Sequence, residues 1–469
     1  MRPSLASGAY GEPAPGTPSR VCLNAYLEKV DTDPKRPLRL LKAPGSLALP
    51  DWASNARGYG QADGFASGKI LAVVGTALKT YDPATGTVGT ITGTVAGTDR
   101  VQFAFTATEC AILANGVLYF SDGSTVAAST DVDFPASITS VAAIEQRFVF
   151  SYGTEGRWGY TEVGDGDNTT ALSYYTAEYA PDGLVALFVL GARLFLFGTQ
   201  TLEEWYPTGD SDNPFRRASG RVVETGCLCR DSIRKLDNTV YWIDHECSVR
   251  RIGSAETPEI VSTPFIARAI RASETANIVT MSYEVDGHAF YLVRLPVEGC
   301  FAIDANTGGE WHERQTNLTD TWRYGYIIAA AKKHYVGDFD GVGFAIMARD
   351  YESEHMASVS TMGTEIVWHV TAYASISEGI EDVDKIRLEI SPGQGLATGQ
   401  GSNPQVSMRK WRGNSWTSWR SRSSGAQGNY RNRSIWTGCG LAYPPGLWIE
   451  FRGSDPVRTV ISGVAVNED

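Results

Sequence analysis

The feature that most constrains the fold of this chain is a pair of short apolar strands, joined by a tight polar turn, that recurs between residues 61 and 350. A stretch rich in Gly or Asp follows each pair, and successive pairs begin about 30 to 50 residues apart, which is the length of one four-stranded propeller blade. A single blade cannot bury both of its faces, so several blades must pack around an axis. The pattern therefore predicts a β-propeller of six or seven divergent blades.

One helix is predicted to interrupt this pattern near residues 263–272. Thr263 can cap it, Pro264 suits its first position, and Phe265, Ile266, Ala269 and Ile270 form an apolar stripe. The predicted strand pairs are Ile70–Gly75 with Ala77–Tyr81, Glu109–Ala114 with Val117–Phe120, Ser140–Ala143 with Arg147–Tyr152, Leu184–Leu190 with Arg193–Phe197, Asp231–Leu236 with Thr239–Ile243, Asn277–Val285 with Ala289–Leu295, and Tyr324–Ala331 with His334–Gly337.

Two regions outside the repeats differ from them in pattern. Residues 1–60 read as an arm, because the Pro-rich stretch 11–18 excludes a helix or a central strand. Residues 351–469 contain alternating strands such as His369–Ser375 and Ile386–Ile390, which predict a β-sandwich or barrel-like module. We expect the arm to pack on this module. The 49 glycines and 11% aromatic residues also favour an all-β protein.

The overall charge and the cysteine content restrict the class of protein. A formal net charge of −12 makes the chain a poor general nucleic-acid binder, because affinity for DNA comes largely from Lys and Arg. Seven sparsely spaced cysteines argue against a disulfide framework and suit a reducing cytoplasm. No apolar run reaches the roughly 18 residues of a membrane helix, and no apolar core follows Arg2. We therefore expect neither a membrane span nor a signal peptide.

The charge is unevenly distributed along the chain. Residues 391–449 contain seven basic residues and no Asp or Glu, so this segment carries +7 and the remainder −19. Arg and Trp dominate protein interfaces, which favours docking of a partner or a neighbouring subunit over contact with DNA, or over Arg side chains that simply cover Trp rings. The candidate docking residues are Arg409, Lys410, Trp411, Arg412, Trp416, Trp419, Arg420, Arg422, Arg431 and Arg433.

Two incomplete patterns could hold metal ions. Cys227, Cys229, His245 and Cys247 could converge on zinc from shared strand faces, but their spacing is unusual and small buried cysteines explain it equally well. The Asp-rich turns at 165–168, 210–213 and 338–341 lack the downstream Glu of a calcium loop and suit ordinary turns. We predict no metal and no cofactor.

Catalytic chemistry is not indicated. Glu310 and Glu313 form a carboxylate pair, but a glycosidase needs two carboxyl groups about 5 to 9 Å apart in a cleft, and nothing positions them so. His288 is more simply a hydrogen-bonded structural histidine than a base. No Ser-His-Asp pattern, phosphate-binding glycine loop or zinc-protease motif occurs. We predict that the protein is not an enzyme.

Several segments, taken in order, resemble one known family. They are Arg20–Glu28 with Ala43–Gly45, Gly287–Tyr291, Asp304–Arg314, Gly399–Val406, Trp416–Trp419, Gly428–Arg433 and Ser454–Val457. This series resembles the tail-hub or nozzle proteins of short-tailed phages, also called packaged-DNA stabilisation proteins or tail accessory factors. One departure is Arg412–Ser415, where relatives typically carry an Asp-Gly-Gly turn, so any acidic contact made there by the family is in doubt.

The resemblance implies a virion protein that is assembled in the host cytoplasm. Such proteins form a homohexameric ring below the portal and its adaptor ring, and the ring encloses the lower DNA channel. They carry a plug or needle protein at the tip and help anchor tailspikes or fibres. They retain packaged DNA, which passes through the lumen without sequence-specific binding, and they are not known as enzymes. The alternatives are a carbohydrate-binding or carbohydrate-cleaving propeller for host-surface recognition and a monomeric scaffold propeller.

Overall fold

A computed structural model describes residues 2–5, 18–30, 37–177, 179–180, 182–253, 257–358, 361–376 and 379–468. Half of the chain is in β-strands and only 4% is in helices, which confirms the all-β prediction. The helices among the described residues are α1 (Pro264–Ala272) and three short 3-10 helices at Ala66–Gly68, Arg230–Ser232 and Thr275–Asn277. None of them is long and apolar enough to span a membrane.

Seven blades of four strands form the propeller within the described residues. Five strands precede blade 1: β1 (Ser4–Leu5), β2 (Cys22–Leu23), β3 (Ala25–Lys29), β4 (Leu38–Lys42) and β5 (Gly45–Ala48). Blade 1 contains β6 (Ala56–Gly60), β7 (Ile70–Val74), β8 (Ala77–Tyr81) and β9 (Val88–Gly93). Blade 2 contains β10 (Gln102–Phe105), β11 (Cys110–Ala114), β12 (Val117–Ser121) and β13 (Thr125–Ala128). Blade 3 contains β14 (Ile138–Ile144), β15 (Arg147–Tyr152), β16 (Arg157–Tyr160) and β17 (Tyr174–Thr176).

The later blades follow the same antiparallel order. Blade 4 contains β18 (Leu184–Leu190), β19 (Arg193–Gly198), β20 (Leu202–Pro207) and β21 (Phe215–Val223). Blade 5 contains β22 (Arg234–Leu236), β23 (Thr239–Ile243), β24 (Val249–Ile252) and β25 (Glu259–Ile260). Blade 6 contains β26 (Val279–Val285), β27 (His288–Leu295), β28 (Gly299–Asp304) and β29 (Trp311–Arg314). Blade 7 contains β30 (Tyr324–Ala330), β31 (Lys333–Asp338) and β32 (Phe344–Ala348), with β5 as its fourth strand.

The blades close into a ring. The first strands of blades 1 to 4 contact one another in order, and so do the first strands of blades 5 to 7, while β30 lies against β6. The 3-10 helix Arg230–Ser232 contacts β18 and β26 and so bridges blades 4 and 6 at the start of blade 5. Apolar clusters fill the gaps between neighbouring sheets, and this packing holds the blades together.

The tight polar turns between the apolar strands are two-residue hairpins. Asn115–Gly116 joins β11 to β12, and Asp286–Gly287 joins β26 to β27, with positive φ at both residues of each turn. Asn-Gly and Asp-Gly adopt this left-handed geometry readily, and its twist matches that of the flanking strands. The turn chemistry therefore explains why one hairpin in each blade could be predicted from the sequence.

One predicted strand of the propeller has different bounds in the structure, and the one predicted helix is present. The predicted strand Asp231–Leu236 is wrong in its first half, because Arg230–Ser232 forms a 3-10 helix and β22 begins only at Arg234. Helix α1 is present as predicted, with the Thr263 side chain accepting a hydrogen bond from the Ile266 backbone N–H at 3.4 Å. Ile266 and Ile270 pack into the apolar cluster shared by blades 5 and 6.

A β-sandwich follows the propeller and is joined to it through the N-terminal strands. Its strands are β33 (Ser353–Glu354), β34 (Thr364–Glu365), β35 (Trp368–Ser375), β36 (Glu381–Asp382), β37 (Lys385–Ile390), β38 (Gln405–Lys410), β39 (Arg420–Ser423), β40 (Ser434–Thr437), β41 (Leu441–Ala442), β42 (Gly446–Gly453) and β43 (Val460–Val466). One large sheet runs from blade 6 through β2 into β35, β42, β38 and β39. The facing sheet has the order β3-β4-β43-β37-β40, and the two sheets enclose one apolar core.

Asn24 fastens this junction at the point where the chain passes from one sheet to the other. It is buried, with a positive φ of 49° that asparagine tolerates. Its side-chain amide donates to the Gln315 and Val367 carbonyls at 2.9 Å each, and its Oδ1 accepts from the Gln315 N–H at 3.0 Å. The Asn24 side chain therefore links the arm, blade 6 and the sandwich in addition to the pairing of β2.

Candidate interaction surfaces

The basic segment 391–449 divides into an inward-facing and an outward-facing part. On the inward side, the Arg409 guanidinium pairs with the buried Glu450 carboxylate and lies 4.6 Å from the ring centres of both Trp416 and Trp419. His369 Nε2 approaches the same carboxylate at 3.2 Å. Arg409 therefore has an internal partner for its charge.

Lys410 and Trp411 also belong to the inward part. Lys410 alternates with Val406 and Met408 on the buried face of β38, and its Nζ donates to the Leu441 carbonyl. Burial lowers the pKa of this lysine. Trp411 pairs edge-to-face with Trp416, their ring centres 5.4 Å apart. Lys410 thus cannot contribute to an exposed docking surface.

Arg420 and Arg422 close one side of the sandwich. They lie on β39, an edge strand of the large sheet, and donate to the Thr437 and Ile435 carbonyls of β40 at 2.7 and 3.1 Å. β40 is an edge strand of the facing sheet. Side-chain donors therefore occupy carbonyls that would otherwise invite pairing with another chain, while both guanidiniums keep their charge.

The outward part consists of Arg412, Arg431 and Arg433, which we call the arginine surface. All three side chains are exposed and make no hydrogen bond or ion pair with the described residues. Tyr430 beside them is 71% exposed. The interface prediction therefore stays a prediction for these residues, and it gains support because their charge has no internal partner.

An acidic region lies elsewhere in the chain and was not singled out from the sequence, although a running count of charge would have found it. Residues 101–183, which comprise blades 2 and 3 and the loop after them, contain eleven acidic and two basic residues, a net charge of −9. Blade 6, which carries the sandwich, is followed by blade 7 and then blade 1, so blades 2 and 3 are the two farthest from it around the ring. The acidic and basic regions therefore lie on opposite sides of the molecule.

Neutral donors hold most of these carboxylates in place. Asp131 accepts the Thr169 backbone N–H at 2.8 Å, Asp167 accepts from Ser129 and Thr130, and Asp182 accepts the backbone N–H groups of Gln200 and Thr201. Hydrogen bonds from Thr169 and Asp133 hold the pKa of Asp131 below its usual value. Among the described residues of blades 2 and 3, the ion pairs are Arg147–Glu162 at 3.9 Å and Arg157–Glu155 at 2.9 Å. The acidic region is therefore ordered but remains charged.

The residues considered for zinc make ordinary internal contacts. Cys227 Sγ lies 3.3 Å from the Cys229 carbonyl, and His245 Nδ1 accepts the Gly226 N–H at 3.1 Å. Among the residues that the structure describes, no three His, Cys, Asp or Glu side chains are grouped as a metal would require. In the Asp-rich turns, Asp338 pairs with Arg323 at 2.6 Å. Cys227, His245 and Asp338 thus have hydrogen-bond or ion-pair partners within the chain.

The residues considered for catalysis lie mostly in the interior of blade 6. His312 is buried, which lowers its pKa to about 3, and burial raises the pKa of Glu313 to about 7. Trp311 donates to the Val261 carbonyl at 2.7 Å, and His288 Nδ1 lies 2.6 Å from the buried Asp304 carboxylate. These contacts serve the packing of the blade and its junction with the sandwich.

Comparison with known proteins supports the resemblance found in the sequence. Residues 54–344 match the family described as bacteriophage P22 Gp10, β-propeller. The tail hub protein gp10 of Salmonella phage P22 is 26% identical over 249 residues, which cover 49% of this chain and only about half, 53%, of that protein.

Two solved structures give weaker likenesses. The extracellular domain of a hybrid two-component system from B. thetaiotaomicron has a TM-score of 0.45 at 9% identity, over 77% of this chain and 45% of that one. PorZ, a surface component of the type-IX secretion system of Porphyromonas gingivalis, has a TM-score of 0.39 at 11% identity, over 73% and 44%. The family match is different in kind, since it spans well over half of the chain and the propeller found here. This chain belongs to the phage P22 Gp10 β-propeller family.

Proposed function

We propose that this protein is a structural component of a phage tail, in which copies join head to tail into a closed ring around the passage for DNA. The family and the tail hub name of the P22 relative support a tail-hub role. The role is structural, the location is the virion tail, and assembly takes place in the host cytoplasm. A homohexamer is the expected ring, with an adaptor ring above it, a tip protein below it, and spikes or fibres attached to it.

The observation that most supports a ring is the separation of charge. The arginine surface of segment 391–449 and residues 101–183, which carry −9, lie on opposite sides of one molecule, while Arg409 and Lys410 of the same segment are paired or buried internally. The two regions cannot neutralise each other within one copy, but they can do so between neighbours. A contact between two different surfaces propagates from copy to copy, and it forms a ring when the rotation closes.

The same charge pattern suits a conduit for DNA. The chain keeps a net charge of −12, and like charge on a wall prevents phosphates from adhering to it. The arginine surface would be covered by the neighbouring copy and so removed from the passage. DNA would then move through the lumen without being held.

Charge reversal tests this contact. We expect Arg412→Glu, Arg431→Glu and Arg433→Glu together to weaken self-association of the full chain by about 100-fold or more, because like charges then face each other across the interface. The reciprocal variant Asp133→Arg, Glu145→Arg and Asp165→Arg should restore association when mixed with the first. Sedimentation velocity over a concentration series measures both effects, alone and with the tail partners present.

A matched control separates the specific contact from a general effect of charge. Lys235→Glu, Lys332→Glu and Lys333→Glu change the net charge by the same amount at exposed positions on blades 5 and 7. This control should associate like the unmodified chain. Equal weakening by both variants, or a chain that stays monomeric beside its tail partners, would contradict the proposal.

A further inference from the structure

The inner wall of the propeller carries arginines that have too few carboxylate partners. A cavity of about 400 Å³ lies between the first strands of several blades and is lined by Arg100, Arg234 and Asp231, with the remaining lining uncharged. Two guanidiniums therefore face this space with one carboxylate. Charges withdrawn from bulk water are normally paired, and Arg100 and Asp231, whose side chains are 24% and 22% exposed, form such a pair.

The single carboxylate is shared among several arginines. Asp231 Oδ2 lies 2.9 Å from Arg100 Nε, and its Oδ1 accepts from Arg230 Nε at 3.2 Å. Burial alone would raise the pKa of Asp231, but the Arg230, Arg100 and Arg234 guanidiniums outweigh it and keep that pKa below its usual value. Arg230 and Arg100 therefore make the direct contacts with Asp231, and Arg234 acts on it at longer range.

Arg234 makes hydrogen bonds but no ion pair. Its Nε donates to the Thr280 carbonyl at 2.9 Å and its Nη1 to the Ile233 carbonyl at 2.7 Å, and both acceptors are neutral. Burial lowers the pKa of this guanidinium. Its charge is therefore offset at longer range by Asp231, and no ion pair with a described residue holds it directly.

A fourth arginine, Arg294, lies near these residues but does not line the cavity. Arg294 is 6% exposed, and its Nη1 is buried without a hydrogen-bond partner among the described residues. Its guanidinium lies 4.1 Å from the ring centre of Phe339, and that of Arg100 lies 5.8 Å from the same centre. Arg294 and Arg100 are thus neighbours, and one of them presents an unused donor.

We propose that the central cavity of the propeller binds an oxyanion of the phosphate class, held chiefly by Arg234 and Arg100. A planar guanidinium presents paired donors that match the oxygens of a phosphate. The cavity is large enough for such an ion. An adjoining cavity of about 510 Å³ is lined by Arg57, Arg100 and Arg230 and by Asp99, Asp231 and Asp340, so the excess of arginine belongs to the first cavity. The bound anion would offset the excess positive charge and fasten blades 2, 5 and 6 together at the axis.

Titration of the full chain with inorganic phosphate tests this site, followed by calorimetry and by thermal unfolding at constant ionic strength. We expect saturable binding and a rise in melting temperature with phosphate, but not with chloride. Arg234→Gln should weaken phosphate binding about 10- to 100-fold, the effect of losing one or two charged hydrogen bonds. Arg216→Gln, at an exposed position on blade 4, is the matched control and should bind phosphate like the unmodified chain.

The variants also distinguish binding from a merely structural role. In phosphate-free buffer, Arg234→Gln should melt near or above the unmodified chain, because it removes a repelling charge, whereas a purely structural arginine would leave it less stable. Arg234→Lys, which keeps the charge without the paired donors, covers the case in which the Gln variant does not fold, and it should show weakened binding. Absence of saturable phosphate binding, equal binding by Arg234→Gln, or tighter binding of acetate than of phosphate would overturn the proposal.

Discussion

The acidic region of blades 2 and 3 and the basic segment of the sandwich carry opposite charge but share one principle of construction. In the acidic region, carboxylates such as Asp131 and Asp182 accept hydrogen bonds from backbone N–H groups. In the basic segment, Arg420 and Arg422 donate to backbone carbonyls. Both regions thus satisfy the hydrogen bonds of their charged groups with neutral partners.

The difference between the regions lies in how much charge is neutralised inside. Arg409 has a buried carboxylate partner in Glu450, whereas Arg412, Arg431 and Arg433 have none among the described residues. Hydrogen bonding orders a charged side chain, but only an opposite charge cancels its field. A surface can therefore be well ordered and still attract a partner.

The largest expected effect on stability is at Arg409. Replacing it with Ala leaves the buried Glu450 with only His369 nearby and uncovers two Trp rings. We expect Arg409→Ala to lower the free energy of unfolding by about 3 kcal/mol, as for a broken buried ion pair. Arg412→Ala, on the arginine surface, should change it by less than about 0.5 kcal/mol. Urea unfolding measures both, and similar losses would contradict the division into inward and outward parts.

A smaller effect is expected at Glu313, a partly buried carboxyl group whose pKa burial raises to about 7. Below about pH 4.5 the group is protonated in both states, and between pH 4.5 and 7 only the unfolded state releases its proton. This group therefore makes the folded state less favourable as the pH rises through that window. Glu313→Gln should raise the free energy of unfolding by about 1–2 kcal/mol at pH 8 and leave it unchanged at pH 4.

Denaturant titrations at the two pH values measure this effect of Glu313. Glu310→Gln, three residues earlier in the chain and just before β29, is the control. A benefit of equal size at pH 4 and pH 8 would exclude titration of Glu313 as the cause.

The smallest effect is expected at Asp182, which holds a loop through neutral donors. Asp182→Ala removes the acceptor for Gln200 and Thr201 and should cost about 1 kcal/mol. Asp182→Asn keeps one acceptor oxygen and should cost less, although both variants remove the same charge. If the two variants are equally unstable in thermal unfolding, charge rather than hydrogen bonding is what Asp182 contributes.

The sequence predicted those parts of the fold that depend on neighbouring residues. Two-residue turns and apolar alternation identified the first strand pair of most blades and helix α1. The fourth strand of blade 7 was not identified, because β5 is four residues long and its partner lies almost 300 residues away. Short strands of this kind are fixed by tertiary pairing rather than by propensity.

The residue types of the candidate surface were predicted from the sequence, but which of their side chains face outward was not. The alternation of Val406, Met408 and Lys410 on β38 already indicated that Lys410 faces inward, since residues two apart share a face of a strand. The arginines of the central cavity could not be found by any count along the chain, because Arg100 and Arg234 meet only after the ring closes. Charged residues that are close together in the sequence can be identified as a cluster from the sequence alone, whereas charged residues brought together from different blades cannot.

The pairing of Ala48 with Ala345 also determines when the propeller can close during translation. A ribosome delivers β5 early, but its partner strand emerges only after six blades have been made. Until then the propeller of the nascent chain is open and its strand edges are exposed, and exposed edges are the surfaces most prone to wrong pairing. A chain truncated before residue 345 lacks the strand that pairs with β5, so it cannot close its propeller.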